Sequence, residues 1–161
     1  MDNLQKGWTS KVKYRDLSFA KKIAGRLHFE ILLQGSVRIR GGEWRYDRVS
    51  APFERLYLIQ SGGCRIFREG ERVALTAGSA YLIPKNIPYD FRCDRSMEKL
   101  YVHFRLKHVS GTDLFDGINT IQALPMGSAR EHRDLVAWVE SRNVGAVVRY
   151  QGALLGLLGR F

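Results

Sequence analysis

Very little in this sequence points to a membrane, an export route or a sulfur-based framework. No run approaches the roughly 18 consecutive apolar residues of a membrane-spanning helix. The opening MDNLQKGWTSK lacks the apolar stretch of a secretory signal. No membrane partner is expected, and the expected compartment is the cytoplasm. There are only two cysteines, Cys64 and Cys93, which is too few for a disulfide scaffold, and their spacing is not that of zinc ligands. They are expected as buried thiols. Acidic residues are also scarce, 16 against 26 Lys and Arg, for a formal charge of +10.

What remains is 161 residues with 45% apolar side chains, enough for one globular domain with a sizeable core. The positive excess is uneven: residues 1–50 hold 11 basic and 5 acidic side chains, residues 51–110 hold 10 and 6, and residues 111–161 hold 5 of each. Such a balance attracts polyanions, but salt screens the field within about 8 to 10 Å. No helical segment combines a basic face with a helix-turn-helix pattern, so a solvated basic surface accounts for the charge as well as DNA contact does.

Residues 1–26 are polar and basic with scattered anchors, Trp8, Tyr14, Phe19 and Ile23, and read as an arm. From Leu27 to about residue 110 come short apolar or alternating runs, LHFEILL, SVRIR, WRYDRV, RLYLI, CRIF, RVAL, AYLI, YDFRC and KLYVHFRL, punctuated by Gly and Pro. A string of short strands of this kind indicates an all-β sandwich or barrel, with Arg68-Glu69-Gly70-Glu71 as a hairpin turn. After Gly111 the period changes. Arg130 to Arg142 and Val144 to Phe161 place apolar residues near helical spacing and read as two helices. The second is burdened by Gly152, Gly156 and Gly159, each costing about 1 kcal/mol against Ala in a helix interior. It ends at Phe161 with no capping Gly or Asn, as if cut inside or just after a helix.

The most specific stretch is Arg55 to Tyr89: RLYLIQSGG, a hairpin, then LTAGSAYLIPKNIPY. A strand ending in Gly62, then Gly78, five residues, Pro84, Asn86 and Tyr89, resembles the cupin barrel, and the following KLYVHFRL resembles the next strand of AraC-type regulators. The resemblance covers about residues 27–161. It implies a mainly β fold, a cupin (double-stranded β-helix or jelly-roll) barrel over 27–110, followed by a connecting segment and two α-helices over 111–161. In that family the cupin senses a small molecule and the helices pair the subunits. A separate helix-turn-helix domain, expected to follow Phe161, binds DNA.

Metal-binding cupins carry two His and a Glu in their first motif and a His in their second. The Glu position, seven residues before Gly62, is Arg55 here; the paired His would fall near Val49 and Ala51 or Arg48 and Ser50; the second-motif position is Tyr89. No metal or other cofactor is therefore expected. A site assembled elsewhere from His28, His103, His108 or His132 lacks paired spacing.

The resemblance also fixes which side chains point inward, because strands alternate with period two. Arg55, Tyr57 and Ile59 face in, as do Tyr89, Phe91 and Cys93. Leu100, Val102, Phe104 and Leu106 form an apolar face under the helices, which turns Tyr101 and His103 inward. The candidate ligand residues are thus Arg55, Tyr57, Tyr89, Tyr101 and His103, and the resemblance adds Arg48, since AraC-type sensors present an Arg from this region to the sugar. Arg48 is equally compatible with a solvated charge beside Asp47, and Arg55 with an internal pair to Asp90 or Glu98. The implied function is a non-enzymatic sensor of a small-molecule effector, a sugar or sugar acid, with Trp8 and Tyr14 on an arm that serves as a lid. A homodimer is expected through Val147, Leu154, Leu158 and Phe161 of the second helix. The alternatives are a metal-free cupin enzyme, such as a sugar isomerase or epimerase using His103 and a Tyr, and a protein-interaction barrel, which leaves the inward Arg and Tyr residues unexplained.

Overall fold

The computed structural model describes residues 22–23 and 25–161. The aromatic anchors of the arm, Trp8, Tyr14 and Phe19, lie outside the described residues, and the lid expectation with them. Eight strands are followed by two helices: β1 (Leu27–Arg40), β2 (Arg45–Val49), β3 (Glu54–Arg68), β4 (Glu71–Thr76), β5 (Ser79–Ile83), β6 (Tyr89–Arg92), β7 (Ser96–His108), β8 (Gln122–Pro125), α1 (Ala129–Glu140) and α2 (Val144–Leu158).

The short runs of the sequence are longer strands in the structure. LHFEILL and SVRIR are one strand, β1, whose pairing with β7 shifts register between Ile31 and Leu33. RLYLI and CRIF are likewise one strand. Gly62, expected to end it, instead marks where β3 passes from one sheet to the other. Up to Gly62 it pairs with β7 and β5, and from Gly63 with β4 and β6. The backbone at Gly62 has φ +67°, and a Cβ there would collide with the Ser96 carbonyl oxygen, so only glycine fits. At the expected hairpin between β3 and β4, Glu69 and Gly70 both have positive φ, 44° and 89°, the sign pattern of a type I′ turn.

One sheet therefore runs β1-β7-β3-β5-β8, and the second is built from β2, β6, β4 and the far half of β3. Period-two alternation divides their side chains between two cores. Leu56, Leu58, Leu100, Val102, Phe104 and Leu106 face outward from the first sheet, under Leu135 of α1 and Tyr150, Leu154, Leu157 and Leu158 of α2. Tyr57, Ile59, Ile66, Tyr81, Ile83, Tyr89, Phe91 and Met97 fill the space between the sheets. The inward and outward assignments made from the sequence hold on all three strands.

The two cysteines do not remain as separate thiols. β3 and β6 are antiparallel with Arg65 opposite Arg92, which sets Cys64 and Cys93 directly across from each other on the inner face. Their Cα atoms are 4.5 Å apart and the sulfurs form a disulfide. Sequence spacing carries no trace of this, because the pairing depends on strand register.

Both helices begin with side-chain caps. Ser128 accepts from the Glu131 N–H and Asn143 from the Ala146 N–H. Contrary to the uncapped ending expected, α2 stops at Leu158 and Gly159 follows as its C-cap. Gly152 and Gly156 sit on the exposed side of α2, where an added Cβ meets nothing within 4 Å. Leu154 and Leu158 are buried against the chain's own sheet, so the outward stripe of α2 is instead Val144, Val147 and Val148. Phe161 is half-buried against the same core. Among the described residues no helix is long and apolar enough to cross a membrane.

Candidate functional site

Three rungs of strand pairing build the site. On β3 and β7, Arg55 stands opposite His103, Tyr57 opposite Tyr101, and Ile59 opposite Lys99. On the far side of β7, Leu33, Gly35 and Val37 of β1 face the same three positions. Gly35 gives the Tyr101 ring room, since a Cβ there would sit 3.0 Å from its hydroxyl. The second sheet closes the space with Trp44, just before β2, and Phe91 of β6, whose rings lie 4.9 Å apart.

The space between is a pocket with two adjoining lobes, of about 310 and 420 Å³, that share Trp44, Tyr46, Tyr57 and His103. Arg55, Phe53 and Phe91 line the first, and Lys99, Tyr101 and Leu33 the second. The exposed side chains of Leu33 and Tyr46 lie at its edge. A pocket of this size, walled by aromatics with a few polar groups, suits a small organic molecule.

Four of the six ligand residues read from the sequence, Arg55, Tyr57, Tyr101 and His103, line this pocket. Tyr89 is buried in the inner core beyond both lobes, its hydroxyl meeting no hydrogen-bond partner within 3.5 Å among the described residues. Arg48 is exposed in the left-handed region at φ 50°, its N–H donating to Asp90, and it borders a separate surface hollow. Among the wall residues outside that reading, Lys99 and Trp44 bear most on the chemistry of the pocket. Lys99 belongs to the same alternation as Tyr101 and His103, one step earlier, and was legible there. Trp44 lies outside any strand and gives no comparable signal.

The buried charge in the pocket is of one sign, with Glu43 and Arg38 in the lining at its exposed edge. Arg55 is 3% exposed, and its Nε and Nη2 have no hydrogen-bond partner among the described residues. Neither carboxylate considered for it is engaged with it: Asp90 accepts from Arg48, and Glu98 pairs with Arg38 and Ser61. The guanidinium lies 5.4 Å from the Phe91 ring centre, and burial lowers its proton affinity. Lys99 is 4% exposed, with Nζ 3.5 Å from the Tyr57 ring centre and 4.1 Å from that of Trp44. Burial, reinforced by Arg55, brings its pKa down to about 7. Burial first, then Arg55 and Lys99, lowers His103 to about 4, which keeps it neutral at ordinary pH. Burial raises the Tyr57 phenol to about 12. Outside the pocket the buried Glu54 lies 3.5 Å from Lys85, which also bonds Asp113 and Asp116; neither Glu54 oxygen has a hydrogen-bond partner among the described residues, and burial, then Asp113, raises its pKa.

This donor set does not fit a divalent metal. Two buried basic groups and a neutral imidazole, with a single carboxylate, Glu43, in the lining at the exposed edge, do not make a divalent-ion site. Among the described residues no group of three His, Cys, Asp or Glu side chains could hold an ion. Elemental analysis of protein purified without chelator is expected to find no stoichiometric zinc, iron, manganese or nickel. One equivalent that survives dialysis would contradict this.

The sequence model of one family, the AraC-like ligand binding domain, matches residues 33–146. No curated protein sequence matches the chain. Among solved structures, apo ToxT from Vibrio cholerae superposes with a TM-score of 0.51 at 11% identity, covering 83% of this chain and 54% of that one. YhaK from Escherichia coli gives 0.47 at 19% identity, covering 74% and 50%. A cupin-2 domain protein from Shewanella frigidimarina gives 0.38 at 14%, covering 47% and 68%. The chain thus spans about half the length of ToxT and of YhaK.

Proposed function

This chain belongs to the AraC-like ligand binding domain family, and from that premise we propose that it is the effector-sensing and dimerisation part of a cytoplasmic transcription regulator. The observation that carries the reading is a preformed pocket between the two sheets whose Arg55 donors meet no acceptor among the described residues. A buried, unpaired polar group costs on the order of 1 to 3 kcal/mol, and a ligand that supplies the acceptor removes that cost. The proposed effector is a sugar or a related small polar metabolite, organic acids included, held by Arg55 and His103 against the aromatic walls. DNA contact is assigned to a separate helix-turn-helix domain.

The route from pocket to helices is short. Along β7, Lys99, Tyr101 and His103 face the pocket, while Leu100, Val102 and Phe104 between them support α1 and α2. A ligand that favours one setting of this strand biases the helices by its difference in affinity for the two arrangements. A non-enzymatic role is favoured over a metal-free isomerase that uses His103, because burial, Arg55 and Lys99 hold that imidazole at a pKa of about 4, poor for carrying protons near neutrality.

The dimer is assigned to the outward stripe of α2, Val144, Val147 and Val148, with 50 to 78% of each exposed. The double variant Val147→Glu, Val148→Glu is expected to remain folded and to sediment as a monomer where the unaltered protein sediments as a dimer. Leu154→Glu is expected to unfold the domain, since it places a charge in a fully buried position. A double variant that stays dimeric would put the contact elsewhere. For the sensor itself, melting curves with a panel of sugars, sugar acids and other small organic acids are expected to show stabilisation by at least one compound and no turnover of it. Catalytic conversion would favour the enzyme reading.

A further inference from the structure

The two ligand classes consistent with this pocket, neutral polyols and organic acids, make different demands on its charge. A neutral sugar needs hydrogen-bond donors and acceptors in similar number. The pocket instead offers Arg55 Nε and Nη2, both without acceptors, and the Lys99 ammonium resting on two ring faces. None of the ion pairs among the described residues involves either side chain. Glu43, in the lining of the second lobe, is exposed at the edge and accepts from the Arg40 N–H, and Glu98, outside the lining, pairs with Arg38. The remaining polar groups, Tyr57, Tyr101 and His103, bring no negative charge. Two buried basic groups that repel each other, with no buried counter-charge in the lining, are unfavourable until an anion enters.

The rest of the lining gives the shape of that anion. Trp44, Phe53, Phe91, Val49 and Ala51 surround Arg55 with hydrocarbon. His103 stacks on Phe53 at 5.0 Å with the rings inclined by 25°, which makes one wall flat. A polyhydroxylated ring would leave most of its hydroxyls against these carbons, whereas a planar or short aliphatic body would bury well.

From the unmatched Arg55 fork, the adjoining Lys99 and the flat hydrocarbon walls, we infer that the effector is an organic carboxylate with a largely apolar body. Its carboxylate is received by Arg55, and Lys99 supplies the second positive charge from the neighbouring lobe. This rests on the assignment of the pocket as the effector site and narrows it. Arg55 is suited to the role because its planar donors match both oxygens of a carboxylate.

Isothermal titration and melting curves on the intact chain, with benzoate, its neutral isostere benzamide, glucuronate and arabinose as probes, test the inference. Benzoate is expected to bind and raise the melting temperature, benzamide to bind at least tenfold more weakly, and arabinose not to register. Arg55→Met and Lys99→Met should each weaken benzoate at least tenfold, with Arg55→Lys intermediate because it keeps the charge but loses the fork. Glucuronate binding more tightly than benzoate would overturn the apolar body. Arabinose or benzamide binding as well as benzoate would overturn the anion while leaving the effector pocket standing. If no probe binds, the anion inference and the pocket assignment both fall.

Discussion

Arg55→Met is expected to leave the domain folded and at least as heat-stable as the unaltered protein, while reducing effector affinity by at least tenfold. The two halves of that result separate a ligand contact from a structural prop. Were Arg55 half of a buried ion pair, removing it would strand a carboxylate in the core at a cost of about 3 to 5 kcal/mol. In the structure Asp90 and Glu98 are both committed to other groups, and Arg55 Nε and Nη2 meet no acceptor among the described residues. Methionine keeps much of the packing against Phe91 and removes an uncompensated charge, so the expected change in stability is nil to a gain of about 1 to 3 kcal/mol. For a domain of this size each kcal/mol moves the melting temperature by about 2 to 4 °C. Melting far below the unaltered protein, with effector binding retained, would make Arg55 structural.

Much of this site could be read from the cupin resemblance together with period-two alternation. Once Leu100, Val102, Phe104 and Leu106 were assigned to the helix-facing side, Tyr101 and His103 had to face the barrel, and they do. Lys99 obeys the same rule, but a lysine at the start of a strand reads as a solvated end, since lysines are rarely buried unpaired. Trp44 and the Cys64–Cys93 bond were not legible, because both depend on how the second sheet is registered over the first. Gly62 is a commoner kind of ambiguity: glycine both ends strands and permits the sharp bend by which one strand serves two sheets. β8 escaped because four residues ending in Pro125 carry too little pattern to mark an edge strand. The apolar stripe of α2 was clear, but period alone does not say whether it faces the chain's own sheet or another subunit. The burial of Leu154 and Leu158 answers that for these two residues, and the exposed valines remain for a partner.

Lys99→Met is expected to raise the melting temperature of the effector-free protein by several degrees at pH 7, with the gain fading towards pH 10. The sign follows from proton linkage. Lys99 titrates at about 7 in the folded protein and near the ordinary lysine value of 10.5 when unfolded. Between those values the unfolded chain binds the extra proton, so stability rises with pH over this window and the burial penalty is largest at and below pH 7. The difference corresponds to roughly 4 to 5 kcal/mol at most. Methionine fills the space between Trp44 and Tyr57 without a charge and removes the dependence. His103 acts in a lower window. Because its folded pKa is depressed to about 4, stability falls as pH drops from about 6.5 towards 4, and this limb persists in Lys99→Met. Melting curves from pH 4 to 10 that coincide for the two proteins would mean Lys99 is neither buried nor unmatched.

The most direct test of a pocket built around unmatched positive charge is the titration of Lys99 itself, followed by NMR of its 13Cε resonance in lysine-labelled protein and assigned with Lys99→Arg. The groups facing it are Arg55 and His103 inside the barrel, with Arg38 and Glu43 at the edge. In the effector-free protein the midpoint is expected near pH 7, moving well upward towards the ordinary lysine range when benzoate is bound. A midpoint already at the ordinary value, and unmoved by benzoate, would contradict the account.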